Sequence, residues 1–195
     1  MQTLRMDKRL LSSLLEALRA WGTLIAPVER SPGVFALAEI EDVGSACPEA
    51  QRTILPFKKL LLKPSFCMLE RRGGEVERES TDNDPGPMVY FGGHACDIHA
   101  LKILDLMYLS EYVDPYYKRN RERLTVVGHG CFPDEKCFCR SQGTANVDDG
   151  FDLFLTPLEG RYLVTIASAR GDDIVRANQA LFEPSTRRDV QEYMT

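Results

Sequence analysis

The chain has 195 residues, 44% of them hydrophobic and 27% charged, with a formal net charge of −5. That length is enough for one domain with a real core. The acidic balance excludes a general nucleic-acid binder, which needs a basic stripe to replace phosphate counterions, and no run reaches the roughly 18–20 apolar residues of a membrane span.

The opening stretch, MQTLRMDKRLLSSLLEALRAWG, reads as an amphipathic helix. It places Leu10, Leu11, Leu14, Leu15 and Leu18 at helical spacing, with Asp7 as N-cap of a helix over 7–21. Glu16 and Arg19 interrupt its apolar part and no small-residue cleavage site follows, so it is not a signal peptide. A cytoplasmic protein is expected, in which cysteines bind metal or react and do not form disulfides.

TLIAPV (23–28) and GVFALAEI (33–40) read as strands joined by a short turn. EDVGSACPEAQRT follows as a loop containing Cys47. Between Pro56 and Pro64 runs an apolar and basic stretch, read as an extended entry to a short helix carrying Phe66, Met68 and Leu69. Lys58, Lys59 and Lys63 make a small basic patch there, a solvated face or a contact for an acidic partner. Residues 71–87 read as a mobile surface loop, in which Gly73-Gly74 offers a hairpin turn.

MVYFG (88–92) is a strand. Asp97 starts a helix to about Leu109 with Ala100, Ile103, Leu104 and Met107 on its apolar face. DPYYKRNRERL is a charged connection, and LTVVG (124–128) is a second strand, so residues 88–128 form a βαβ unit. Two strands around Glu159-Gly160 follow, then a helix capped by Asp172 or Asp173, and a tail from about 183 that buries nothing. The expected architecture is one α/β domain (or α+β) over 1–195, a mixed sheet with flanking helices.

Chemistry concentrates in residues 88–143, which hold four of the six cysteines and all three histidines. Cys131-x5-Cys137-x-Cys139, with Cys96 upstream, is the main feature. Thiolates are soft ligands for iron–sulfur clusters and zinc, and four of them suit a cubane cluster or a tetrahedral zinc. Cys-x-Cys serves a cluster more easily than a single metal. The spacing is neither a ferredoxin run nor a zinc ribbon, and the alternative is four buried, inert thiols. Cys96, at the head of a helix, suits a ligand or a nucleophile, because the macrodipole stabilises thiolate there. His99 reads as a solvated surface residue, and His94 and His129 as strand-end residues with hydrogen-bonding or surface roles.

In this order, VYFGGHACDIHALKILDLMYL, DPYYKRNRERLTVVGHGC, CFCRSQG and GFDLFLTPLEGRYLV resemble the soluble sulfhydrogenase β-subunit-like family, with which the electron-transfer component of anaerobic sulfite reductase groups. LPFKKLLLKPSF fits the same family's upstream segment, so the likeness covers roughly residues 20–170. The resemblance implies an electron-transfer subunit that relays electrons through iron–sulfur clusters, between a flavin-containing reductase subunit on one side and a catalytic subunit on the other. It carries over to Cys96, Cys131, Cys137 and Cys139. Two departures stand out. His94-Ala95 replaces an Arg-Pro pair before the Cys-Asp, and the 195 residues carry none of the cysteine runs of the family's ferredoxin-like module. The expected function is therefore an electron-transfer subunit or domain with a cysteine-ligated iron–sulfur site. A docking module with zinc or no metal, and a small cysteine-thiol enzyme, are the other readings.

Overall fold

The structure, a computed structural model, describes residues 2–67, 70–77 and 86–193. In chain order its elements are strand β1 (Gln2–Asp7), helix α1 (Leu11–Leu18), strands β2 (Thr23–Ser31) and β3 (Val34–Glu39), helix α2 (Lys58–Leu61), and strands β4 (Glu70–Arg72), β5 (Glu75–Glu77) and β6 (Met88–Gly93). Helices α3 (Ala95–Leu109) and α4 (Pro115–Arg123) lead to strands β7 (Leu124–His129), β8 (Leu153–Pro157) and β9 (Arg161–Ile166). Helix α5 (Ala169–Ala177), strand β10 (Glu183–Pro184) and helix α6 (Arg187–Tyr193) close the chain.

Among the described residues an eight-stranded sheet runs in the order β10-β1-β9-β8-β7-β6-β2-β3. Its centre is parallel (β2 with β6, β6 with β7, β7 with β8) and its flanks are antiparallel. This is the mixed α/β sheet that the strand–helix–strand pattern implies, and β6–α3–α4–β7 is the expected βαβ unit. Alternation along the central strands sends Val89, Phe91 and Val127 to one face, where Leu14, Leu15 and Leu18 of α1 and Ile174 and Val175 of α5 cover them. Met88, Tyr90, Leu124 and Val126 face the other way, against Leu61, Ile98, Leu101 and Tyr117 from α2, α3 and α4.

Several expectations are corrected. Residues 2–7 are a strand and not helix, because β1 pairs with β9 from Gln2↔Ile166 to Asp7↔Arg161. Asp7 still accepts the Arg9 backbone N–H at 2.9 Å, beginning a 3-10 turn ahead of α1. The short helix after residue 55 lies between the prolines at Lys58–Leu61, not at Phe66. Met68 and Leu69 fall outside the described residues, as do residues 78–85 of the stretch read as a mobile loop. The described part of that stretch includes the hairpin β4–β5 around Gly73-Gly74.

The inward face of α3 is Ile98 and Leu101. Ala100 is exposed, and Ile103 and Met107 are 58% and 65% exposed, which reverses the expected face. The charged connection is itself helix α4, begun by Pro115 at its first turn and by Asp114, which accepts the Tyr117 N–H at 2.7 Å. Helix α5 is capped by Ser168, whose Oγ accepts the Gly171 N–H at 3.0 Å, not by Asp172 or Asp173. The tail does bury something. Asp189 of α6 is 1% exposed and accepts from Arg161 Nε at 2.5 Å.

Candidate metal centre

The carboxyl ends of β6 and β7 lie side by side at the middle of the parallel sheet, where α/β folds build their sites. Their register is interrupted between Phe91 and Gly93, with Gly92 at φ +93°, a conformation suited to glycine. The break turns the chain from β6 into α3, whose N-cap is His94. Asp97 accepts the His94 backbone N–H at 3.1 Å, fixing that entry. Cys96 therefore sits in the first turn of α3. After β7, Gly130 donates its N–H to the Leu155 carbonyl at 2.8 Å. A side chain at Gly130 would come within 2.7 Å of Pro157 Cδ, so glycine is what lets the loop start flush against β8.

These two strand ends bring Cys96, Cys131 and Cys139 to the wall of one cavity of about 140 Å³, shared with Thr144, Val147 and Phe154. Cys139 is held by a turn in which its carbonyl accepts the Thr144 N–H at 2.9 Å. Cys137 is not on that wall. Its thiol donates to Asp134 Oδ1 at 3.3 Å, and Arg52 Nη1 approaches its sulfur at 3.9 Å. Cys47 and Cys67 line no part of the cavity.

The thiols are strongly perturbed. Burial pushes Cys96 up to about 12, helped by the neighbouring Asp97 carboxylate and by Cys139, to which it is hydrogen-bonded. Burial also raises Cys131, with Cys139 and Cys137 adding to it. The helix terminus thus does not make Cys96 a thiolate, because desolvation and a like charge oppose the macrodipole and prevail.

The histidines differ from expectation. His99 Nε2 lies 2.8 Å from the Asn146 carbonyl and pins the cysteine-bearing loop to α3. His94 and His129 are buried, at 7% and 3% exposed. His129 continues the Val127 face, between the rings of Phe91 and Tyr162, with neither ring nitrogen hydrogen-bonded among the described residues. Burial lowers it to about 4, with His94 and Lys8 adding to the effect. It lines a second cavity of about 110 Å³ with Lys8, Gln51, His94, Cys131 and Tyr162, so Gly130–Cys131 separates a thiol compartment from an imidazole compartment.

The donor set suits a soft metal: three thiols from two elements on one cavity wall, with a fourth held in the same loop. Among the described residues, no group of three or more His, Cys, Asp or Glu side chains is already closed to metal-binding distance. The residues that sequence reasoning missed are Arg52 and Gln51, which tie down this loop. Their signal was weak, one cation and one amide in a polar stretch far from the cysteines.

The fold and site define a three-layer α/β domain with a cysteine-lined cavity at the carboxyl ends of its central parallel strands. Along 193 residues (99% of this chain) it is 36% identical to sulfhydrogenase 2 subunit beta of Pyrococcus furiosus. The resemblance that its motifs carry therefore holds, and the chain is sulfhydrogenase-β-subunit-like. It spans 57% of that relative's length. No family model matches the chain, and no solved structure matches it. No helix of the described residues is long and apolar enough to cross a membrane.

Proposed function

We propose that the chain is an electron-transfer subunit or domain of a multi-subunit redox enzyme of the hydrogenase or sulfite reductase type. In this reading Cys96, Cys131, Cys137 and Cys139 hold an iron–sulfur cluster of the four-iron type. One observation carries it: thiols from the head of α3 and from the β7–β8 loop line a single cavity between two central parallel strands. The likeness to a hydrogenase subunit supports the redox class. Bound there, a cluster supplies reversible one-electron chemistry. The chain's own contribution is to present the thiols, exclude water with Phe154 and Val147, and leave Phe132 and Phe138 exposed beside the ligands. The partners are then two, a flavin-containing reductase subunit, to one side, and a catalytic subunit.

The thiol-enzyme reading is disfavoured because burial holds Cys96 and Cys131 protonated, and only thiolate attacks. The test is an anaerobic redox titration followed in the visible. A band that bleaches on reduction and returns on oxidation, and that is lost in Cys96→Ser and Cys131→Ser, supports the proposal. A featureless spectrum in freshly isolated protein and in protein reconstituted with iron and sulfide contradicts it.

A further inference from the structure

Cys137 is the member of the cysteine set that faces away from the shared cavity, toward Asp134 and Arg52. Arg52 grips that carboxylate with both arms of its fork, Nη1 to Oδ1 at 3.0 Å and Nη2 to Oδ2 at 2.5 Å. Asp134 Oδ1 also accepts the Lys136 N–H at 2.9 Å, and the Asp134 carbonyl accepts the Cys137 N–H at 3.1 Å. The turn 134–137 is closed on itself and fastened at its head by a bidentate ion pair. A planar guanidinium gives that geometry an orientation which a lysine does not.

The fastening comes from far away in the sequence. The segment carrying Arg52 is pinned to the β2–β3 hairpin at both ends, by the bridges Val28↔Ala46 and Phe35↔Thr53. Its Gln51 donates Nε2 to the Phe132 carbonyl at 2.8 Å. Two consecutive side chains therefore hold the loop, one just after Cys131 and the other at the turn that bears Cys137. Phe132 and Phe138 are 74% and 72% exposed, so apolar packing does little to position this loop and polar ties carry it.

We propose that Arg52, acting through Asp134, is a positioning residue for the metal centre: its fork fixes the 134–137 turn and so decides whether Cys137 serves as the fourth thiolate ligand. This rests on the cluster reading above. Partners that orient metal ligands from outside typically change metal affinity about 10–100-fold when removed. The Arg52 side chain is half exposed, so its replacement spares the core.

The test compares anaerobic preparations of the wild type with Arg52→Gln, Arg52→Lys, Asp134→Asn and Cys137→Ser. In metal-free protein, Arg52→Gln and Asp134→Asn are expected to speed amide exchange at Lys136 and Cys137 by about tenfold, and Arg52→Lys by less. In loaded protein, both are expected to reproduce the paramagnetic resonance spectrum of Cys137→Ser, a three-iron signal in the oxidised state. Iron is then lost to chelator about 10–100-fold faster. A wild-type spectrum and wild-type iron retention in Arg52→Gln overturn the role given to Arg52 and leave the cluster reading standing. A wild-type chain that takes up no iron overturns the cluster reading and the role together, and this shows before any variant is compared.

Discussion

The carboxylate of Asp97 accepts the backbone N–H of His94 at 3.1 Å, and in capping α3 it also helps to hold the adjacent Cys96 thiol protonated. The same residue that orders the helix entry thus suppresses free-thiol reactivity at the candidate ligand. A metal that binds there must displace the proton, which makes its affinity pH-dependent.

Metal-free protein should therefore alkylate slowly at Cys96. With the thiol raised to about 12, iodoacetamide at pH 8 is expected to modify it at least about a hundredfold more slowly than free cysteine. Asp97→Asn is expected to speed the reaction by removing one of the charges that raise the thiol. Timed modification read by peptide mass spectrometry checks both; Cys96 labelling at the rate of free cysteine would contradict them.

The faces of α3 make a paired test. Leu101 is fully buried, so Leu101→Ala is expected to cost about 2–5 kcal/mol. Leu106 is 69% exposed, so Leu106→Ala is expected to fall within about 0.5 kcal/mol of the parent. Denaturant unfolding of the two variants separates this orientation from the opposite one.

Arg161 and Asp189 hold α6 onto β9, with Arg161 Nη2 also meeting Glu192 at 2.7 Å. Hydrogen bonds from Thr186 and the Arg161 guanidinium lower Asp189 to about 2 from its ordinary 3.8. The folded state thus binds the proton less readily than the unfolded state. The contribution is fully present above about pH 4 and is lost as pH falls from there through 2. Asp189→Ala is expected to cost about 1–3 kcal/mol at pH 7 and to lose its effect at acid pH. Unfolding curves at pH 7 and in the acid range check the sign.

Gly128 lies where a β-carbon would run into the Phe154 ring and come within 3.0 Å of Ile98 Cδ1. Gly128→Ala is expected to destabilise by about 1–3 kcal/mol through overpacking. It is also expected to disturb the cavity wall to which Phe154 belongs. Thermal unfolding measures the first effect, and thiol accessibility at Cys131 the second.

The local signals in the sequence were good guides where structure is local. The hairpin β2–β3, the βαβ unit and the pair β8–β9 follow from apolar runs bounded by turn residues. Strand β1 did not show, because QTLRMD is short and its identity comes from pairing with β9, some 160 positions away. Helix α3 misled because it is apolar on both sides: Ile103, Leu106 and Met107 compete with Ile98 and Leu101 for the core, and only tertiary packing decides. Of the site, the convergence of Cys96, Cys131 and Cys139 was legible from strand-end positions. The separate orientation of Cys137, the burial of His129 and the grip of Arg52 depend on contacts between remote segments, which spacing does not encode.

The central claim is a cysteine-ligated cluster, and metal analysis of anaerobically purified protein tests it most directly. Brown protein is expected, with iron and acid-labile sulfide in equal amounts that fall sharply in Cys96→Ser, Cys131→Ser and Cys139→Ser. Colourless protein that carries one zinc per chain, or no metal after reconstitution with iron and sulfide, would contradict it.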